Sequence, residues 1–258
     1  FYINPSLSKK VKARKHFEKA GFIKYRSQKA FKELSTAVAL DSGLVGAYRE
    51  LCTRFINSNW INAKHYNRLI KLQPTAENYI IRGYCILNDL KNYRDRKSEQ
   101  NKEALNDFYS ALKLDPTNPK IYMSVIRPPF FNGWFNFEEV IEKDSVNFYL
   151  KKALFYGEQR LKSKKIAKKT LAKYYAVSSN FNKYKLKDSL ASFIDIKRAI
   201  NLDPLNSRYR YVLINNLKKG KNQKLILKEY NELIKTDPRN KQHFVDKGRY
   251  FESLGYKR

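Results

Sequence analysis

The sequence predicts an all-α protein, a solenoid of stacked helix pairs, on three observations. The first is a helix-and-turn phrase written more than once. Asn101–Pro119 reads NKEALNDFYSALKLDPTNP, with Ala104, Phe108 and Ala111 four and then three residues apart, a spacing that puts all three on one helical face. The phrase recurs as DSLASFIDIKRAINLDPLN, closing at Pro204, and as LILKEYNELIKTDPRN, closing at Pro238. The second is period: Pro204 and Pro238 stand 34 residues apart, and a fixed period of about 20–50 residues marks a repeat array. The third is composition. The 258 residues include only 9 Gly and 8 Pro, and 42% are hydrophobic, which suits long helices, short turns and a real core.

The first element is a helix pair within residues 1–44. Asn4-Pro5-Ser6 is a turn with a helix start, the helix runs to Ala20, and Gly21 stops it. Arg26–Leu40 is the second helix, with Ala30, Leu34 and Ala37 on one face. Ten Lys or Arg against one Glu between Phe1 and Lys32 make this end a basic patch or the polar cap that a solenoid end requires. Leu44–Ser58 and Trp60–Leu72 form the next pair, with Trp60 covering apolar area at the turn and Leu69–Pro74 closing the unit. Glu77–Leu90 follows. Its mid-helix Gly83 costs ~1 kcal/mol of helix propensity and fits a place where two helices approach closely. Asn92–Gln100 reads as a charged loop or helix extension. The Asn101–Leu114 helix stops at Asp115-Pro116, because proline cannot continue it and the residue before proline avoids helical dihedrals. Pro119–Val125 starts a further helix, which Arg127-Pro128-Pro129 ends.

Phe130–Phe137 carries five aromatics in eight residues around Gly133. They plug a gap between two repeat blocks or form a ligand-facing ledge, and Phe130, Phe131, Trp134 and Phe135 are the candidates. Phe137–Tyr175 reads as long helix broken near Gly157 or Ser163, with Val146, Leu150, Ala153, Leu154, Gly157 and Leu161 along its apolar face. Leu171–Lys183 then pairs with Leu186–Leu202. Ser207–Lys219 pairs with Gln223–Thr236, with Gly220 as the C-cap between them. Asn240–Leu254 is a terminal capping helix that ends at Gly255.

These phrases resemble the tetratricopeptide repeat, whose unit is two antiparallel helices closed by a proline. The second-helix pattern of small, aromatic and small residues stands at Ala104/Phe108/Ala111/Pro116, and in looser form at Ala191/Ile196/Ala199/Pro204 and Ile226/Tyr230/Leu233/Pro238. After Ala30/Leu34/Ala37, Ser42 stands in for the proline. Ser42 to Pro74 is 32 residues, Pro74 to Pro116 is 42, and Pro116 to Pro204 is 88, so the middle departs from the period. About five or six degenerate pairs cover some two thirds of the chain. The resemblance implies a right-handed superhelix in three stretches: repeats over 1–127, a non-repeat aromatic loop and basic helical region over 128–170, and repeats over 171–258, in one continuous solenoid. It also implies a concave groove lined by the first helix of each pair, which places Arg49, Lys120, Arg127, Arg208, Tyr211, Asn215 and Arg249 on the groove side. Five of the seven are cationic, which favours a carboxylate-bearing ligand. The carboxylate-clamp set of one subfamily is missing: its slots hold Arg49 and Thr53, Tyr211 and Asn215, and then Asp246.

The formal charge is +29, a balance that favours an acidic protein, nucleic acid or an anionic membrane surface. A chain rich in Lys, Asn, Ile, Tyr and Phe also acquires such charge from an AT-rich genome. The charge is densest from Lys151 to Lys187, with twelve Lys or Arg against one Glu and Tyr156, Tyr174, Tyr175 and Tyr184 interleaved. That mixture suits phosphates and stacked bases, and Lys162, Lys164, Lys165, Lys168, Lys169 and Lys173 are its candidate patch. Cys52 and Cys85 fall on first helices and read as core thiols, because helix axes pack ~8–10 Å apart. His16, His65 and His243 lie on different repeats without metal-ligand spacing, and no phosphate loop or nucleophile elbow is present. No enzymatic activity, metal or cofactor is expected. The chain has no apolar run of about 18 residues that would span a membrane. It starts at Phe1, so a processed or truncated N-terminus is expected, and the compartment, cytoplasmic or envelope, stays open. The reading is a protein-interaction scaffold holding an acidic or extended segment. Nucleic-acid binding through residues 151–187 and an envelope-tethered assembly factor are the alternatives.

Overall fold

The computed structural model describes residues 5–23, 26–56, 58, 60–88, 97–126, 143–219 and 222–256. The expectations for Arg127, for Phe130, Phe131, Trp134 and Phe135, and for Gly220 lie outside those residues. The described helices are α1 (Pro5–Gly21), α2 (Gln28–Leu40), α3 (Val45–Arg54), α4 (Ala63–Leu72), α5 (Ala76–Asn88), α6 (Lys97–Leu114), α7 (Pro119–Ile126), α8 (Lys143–Lys162), α9 (Lys168–Phe181), α10 (Ser189–Leu202), α11 (Ser207–Lys219), α12 (Gln223–Thr236) and α13 (Lys241–Ser253). They fall into two compact units, Phe1–Tyr149 and Leu150–Arg258. In the first, α1 packs on α2, α3 on α4, α5 on α6, and α6 on α7. In the second, α9 packs on α10, α11 on α12, and α12 on α13. The fold is the all-α, tetratricopeptide-like arrangement of consecutive antiparallel pairs.

Four second helices, α2, α6, α10 and α12, bury the same three positions, counted back from the closing residue of the unit. Twelve, eight and five residues before Pro116 stand Ala104, Phe108 and Ala111, all fully buried. The same offsets from Ser42 give Ala30, Leu34 and Ala37, and from Pro238 they give Ile226, Tyr230 and Leu233, all at most 2% exposed. The register corrects one expectation. Before Pro204 the buried residue is Ser192, with Ile196 and Ala199, while Ala191 is only half-buried. It also extends the pattern to α4, where Tyr66 and Leu69 hold the last two slots before Pro74. Small residues in these slots let the backbones approach, and the bulky one between them fills the space they leave. Gly83 is the complementary device on α5. A Cβ built there would lie 2.6 Å from the Phe108 ring, so the aromatic occupies the place of the missing side chain.

The turns that close the units share one chemistry. The N–H groups of Asp41, Asp115, Asp203 and Asp237 return to the carbonyls of Ala37, Ala111, Ala199 and Leu233 at 2.9–3.0 Å. Three residues after the aspartate, Asn118, Asn206 and Asn240 accept from the N–H groups of Lys120, Arg208 and Gln242 at 3.1–3.3 Å. One tetrapeptide thus ends one helix and caps the next.

A polar contact repeats as well. Nine residues before the closing residue stand Glu33, Asp107, Asp195 and Glu229, and each reaches back to the first helix of its own pair. Asp107 takes a two-pronged contact from Arg82 at 2.5 and 2.8 Å, and Glu229 takes Arg210 at 2.8 Å. Asp195 accepts from Ser178 at 2.6 Å and Asn182 at 2.9 Å. Glu33 meets His16 and Lys19, each at 2.6 Å. The fifth pair has His65 at this offset, where its Nδ1 accepts from the Asn62 N–H.

Other expectations resolve in detail. Cys52 and Cys85 are buried free thiols, with the Cys85 Sγ–H pointing to the Cys52 carbonyl at 3.6 Å. Trp60 packs against Phe31 and Phe55 with ring centres 5.3 and 5.6 Å apart. Part of Asn92–Gln100 is helix, because α6 begins at Lys97. The long basic helix breaks at Ser163, not Gly157. Lys164 adopts φ 57, and the Ser163, Lys164 and Lys165 N–H groups return to Gln159, Leu161 and Arg160. The segment before α10 is a π-helical turn over Asn182–Leu186, ended by Lys187 at φ 60, so α10 begins at Ser189 behind the Asp188 cap and not at Leu186.

Two outcomes are expected in denaturant melts. Gly83→Ala destabilises the first unit by about 1–3 kcal/mol, because the Phe108 ring must move; an unchanged midpoint would remove the ring-in-slot account. Arg82→Met costs about 3 kcal/mol, since it strands a buried carboxylate, and pairing it with Asp107→Leu recovers most of the loss. Equal losses in the single and double variants would show that the ion pair is not the cause.

Candidate partner-binding surface

The basic patch is built on the turn between α8 and α9. Lys162, Lys164, Lys165, Lys168, Lys169 and Lys173 are all exposed, and among the described residues none makes an ion pair. Lys164, left-handed at φ 57, reverses the chain between the two helices. Cap residue Ala167 supplies no side-chain acceptor to α9, and the first turn carries Lys168 and Lys169 instead of the acidic residues a helix N-terminus prefers. Side-chain charge and helix dipole therefore share one sign here.

The structure joins the two candidate sets at one place. Lys169 of α9 and Arg208 of α11 front the same cavity of about 320 Å³, which Asp203, Leu205, Asn206 and Ser207 complete. Asp203 is nearly buried and accepts from Asn206. Leu205 is 74% exposed, so the same lining offers an apolar contact alongside the cations.

The other groove candidates divide by their partners. Lys120, Arg208, Asn215 and Arg249 are exposed. Arg49 is engaged within the fold: its guanidinium donates to Asn78 Oδ1 at 3.1 Å and Gln73 Oε1 at 3.0 Å, bracing α3 against the turn before α5. Tyr211 is half-buried; its O–H donates to Asp246 Oδ2 at 2.8 Å, and His243 Nδ1 lies 2.9 Å from the same oxygen. With the phenolic proton directed to Asp246, His243 supplies the Nδ1–H. Gln242 donates to the other Asp246 oxygen at 2.7 Å. Burial, then the hydrogen bond and charge of Asp246, push the Tyr211 phenol well above its usual range.

The interleaved tyrosines are only partly available. Tyr174 and Tyr175 are 8% and 2% exposed and belong to the core. Tyr175 donates to Glu158. Burial, joined at Tyr175 by Glu158, pushes both phenols up to about 12. Tyr156 packs edge-on to Phe155, and Tyr184 is exposed under the Lys183 ammonium. The stacking platform expected from four tyrosines thus reduces to two. No described helix is long and apolar enough to cross a membrane, and no group of three metal-ligating residues occurs among the described residues.

Sequence reasoning missed the four inter-helix carboxylates, although their constant nine-residue offset was available as a signal. It also kept Lys169 and Arg208 in separate sets, because nothing in their spacing of 39 residues announces a shared cavity.

No protein-family model and no curated protein matches this sequence. Solved structures do resemble it. A chain of the APC/C hetero-tetramer Cut9-Hcn1 aligns at TM-score 0.58 with 14% identity, over 93% of this chain and 42% of that one. The human IFIT1 dimer with PPP-AAAA aligns at TM-score 0.57 with 13% identity, over 98% and 65%. The chain spans less than two thirds of the length of either. At these identities the likeness concerns the fold.

The raised phenols have a consequence for alkaline stability. Between the ordinary tyrosine value of 10.0 and about 12, the unfolded chain releases these protons first, so the folded state holds more protons and stability falls as pH rises. Tyr175→Phe flattens that decline in melts recorded from pH 9 to 12; an unaltered slope would mean that Tyr175 ionises as an exposed tyrosine does.

Proposed function

We propose that this chain is a non-enzymatic interaction scaffold that holds an acidic or extended segment of a partner protein against a basic face made by the first helices of its pairs. The tetratricopeptide-like fold is typical of protein–protein interaction scaffolds. The observation that carries the reading is the convergence of Lys169 and Arg208 on one cavity, beside five further exposed lysines that make no ion pair among the described residues. Exposed Leu205 in the same lining as the two cations suits a peptide carrying apolar side chains among its carboxylates, since a binding site needs a desolvated anchor as well as charge. Lys120, Asn215 and Arg249 belong to the same proposal as exposed polar groups on first helices.

Nucleic acid is the second reading. The same unpaired lysines favour it, and the IFIT1 structure of similar fold is a complex with PPP-AAAA. Core placement of Tyr174 and Tyr175 weighs against base stacking and puts the protein partner first.

The test is capture from a native lysate at low and high salt, with nuclease treatment of the bound fraction, using the wild-type chain and one in which Lys164, Lys165, Lys168 and Lys169 are changed to Glu. The expected result is one nuclease-resistant protein whose affinity drops at least tenfold in the variant while helicity is unchanged. Material lost to nuclease would favour nucleic acid, and recovery only on anionic vesicles would favour a membrane surface. Unchanged affinity in the variant would sink the basic-face reading altogether.

A further inference from the structure

Helix α13 carries an open stripe whose counterparts on α3, α5 and α11 are covered. First helices share a stripe at four, eight and eleven residues beyond the cap. On α3, behind Leu44, it is Tyr48, Cys52 and Phe55, all at most 8% exposed. On α11, behind Asn206, it is Arg210, Ile214 and Leu217, all at most 9% exposed. On α5, behind Thr75, it is Tyr79, Gly83 and Ile86, and the Gly83 slot holds the Phe108 ring of α6. On α13, behind Asn240, the stripe is Phe244, Gly248 and Phe251. It repeats the bulky–glycine–bulky order of α5, yet Phe244 is 51% exposed and a Cβ at Gly248 would meet nothing within 4 Å. The helix docks on α12 with a different face, through buried Tyr250, whose ring centre lies 5.9 Å from that of Tyr230. A cavity of about 490 Å³ therefore lies along the stripe, walled on the α12 side by Ile234 and Lys235.

We propose that this face takes an amphipathic helix from an acidic partner protein, with one aromatic side chain seated over Gly248. The internal template specifies the apolar chemistry. On α6 the ring that fills the Gly83 slot is Phe108, flanked by Ala104 and Ala111, which let the helices close. Charge specifies the rest. Among the described residues the charged ones lining the cavity are Lys235 and Lys247, and Lys247 is held in place by Asn231 Oδ1 at 2.8 Å and stacked over Phe251. A net charge of +29 opposes a second copy of this chain and attracts a helix with carboxylates along its rim. The slot is separate from the Lys162–Lys173 patch and does not rest on it.

The test uses the whole chain and a labelled peptide of the α6 sequence, Lys97–Leu114, in which Lys97, Lys102 and Lys113 are changed to Glu. Fluorescence anisotropy is expected to show saturable binding. Phe108→Ala in the peptide and Gly248→Leu in the chain should each weaken it at least tenfold, and Lys235→Glu severalfold. The four-lysine reversal at 164, 165, 168 and 169 should leave it unchanged, so failure here and failure of the basic-face reading are distinguishable. Gly248→Leu should not lower the chain's own melting midpoint, because the slot is open and leucine is the better helix former. No binding at high peptide concentration, or binding indifferent to Gly248→Leu, would overturn the proposal. A lowered midpoint would also overturn it, by showing the slot already filled. So would a dimer in sedimentation that Gly248→Leu abolishes, which would assign the face to a second copy.

Discussion

The contact on which the rest of the structure depends is the seating of one helix's bulky side chain in the space left by small residues on its neighbour, seen most directly where the Phe108 ring occupies the missing Cβ of Gly83. Close approach of two helices removes water from a long apolar stripe, and only small residues at the crossing permit it. Once that distance is set, the positions around it follow. In α2, α6, α10 and α12 the residues twelve, eight and five places before the closing residue are buried together, and the helix must end where the chain has to turn back along its partner. The Asp-Pro-x-Asn turn meets that need by ending one helix through proline and capping the next through asparagine.

A second constraint runs through the few carboxylates. The chain has 24 Asp and Glu against 53 Lys and Arg, and among the described residues Asp107, Asp195, Asp203 and Glu229 are buried. Asp107, Asp195, Glu229 and Glu33 tie second helices to first helices. Asp188 caps α10, and Asp246 receives Tyr211. On Asp107 and Asp195 burial outweighs the hydrogen-bonding groups and pushes the carboxyl up, whereas the more open Glu33 is held down by Lys19 and His16. Buried pairs of this kind add little net stability over well-packed apolar residues, because desolvation offsets their attraction. Among the described residues the lysines around the α8–α9 turn make no ion pair. The basic face is thus partly a product of composition and partly of where the fold places its acids.

Surface chemistry and backbone conformation meet in the second unit. The lysine-rich turn is held by a left-handed Lys164, and a left-handed Lys187 ends the π-helical turn after α9. Each is a lysine where glycine or asparagine is the easier residue. The first of these turns carries the exposed cations of the proposed face. In the same unit, α13 presents the stripe Phe244, Gly248 and Phe251, with Phe244 half exposed.

The sequence alone determined the helices, the turns and the pairing, because these rest on local chemistry: spacing of apolar residues, proline at helix ends, asparagine at helix starts. Signals of that kind survive even where Ser42 replaces a proline. It also determined that Cys52 and Cys85 lie in the core and that Gly83 marks a close approach. The tertiary structure decided what depends on residues distant in the chain. It moved the buried small position from Ala191 to Ser192, because a helical pattern read from sequence tolerates a one-residue shift that packing does not. It withdrew Arg49 into a brace with Asn78 and Gln73, took Tyr174 and Tyr175 into the core, and set Lys169 beside Arg208. Exposure and long-range neighbourhood are properties of how helices meet, and a single helix's sequence fixes its faces without fixing what covers them.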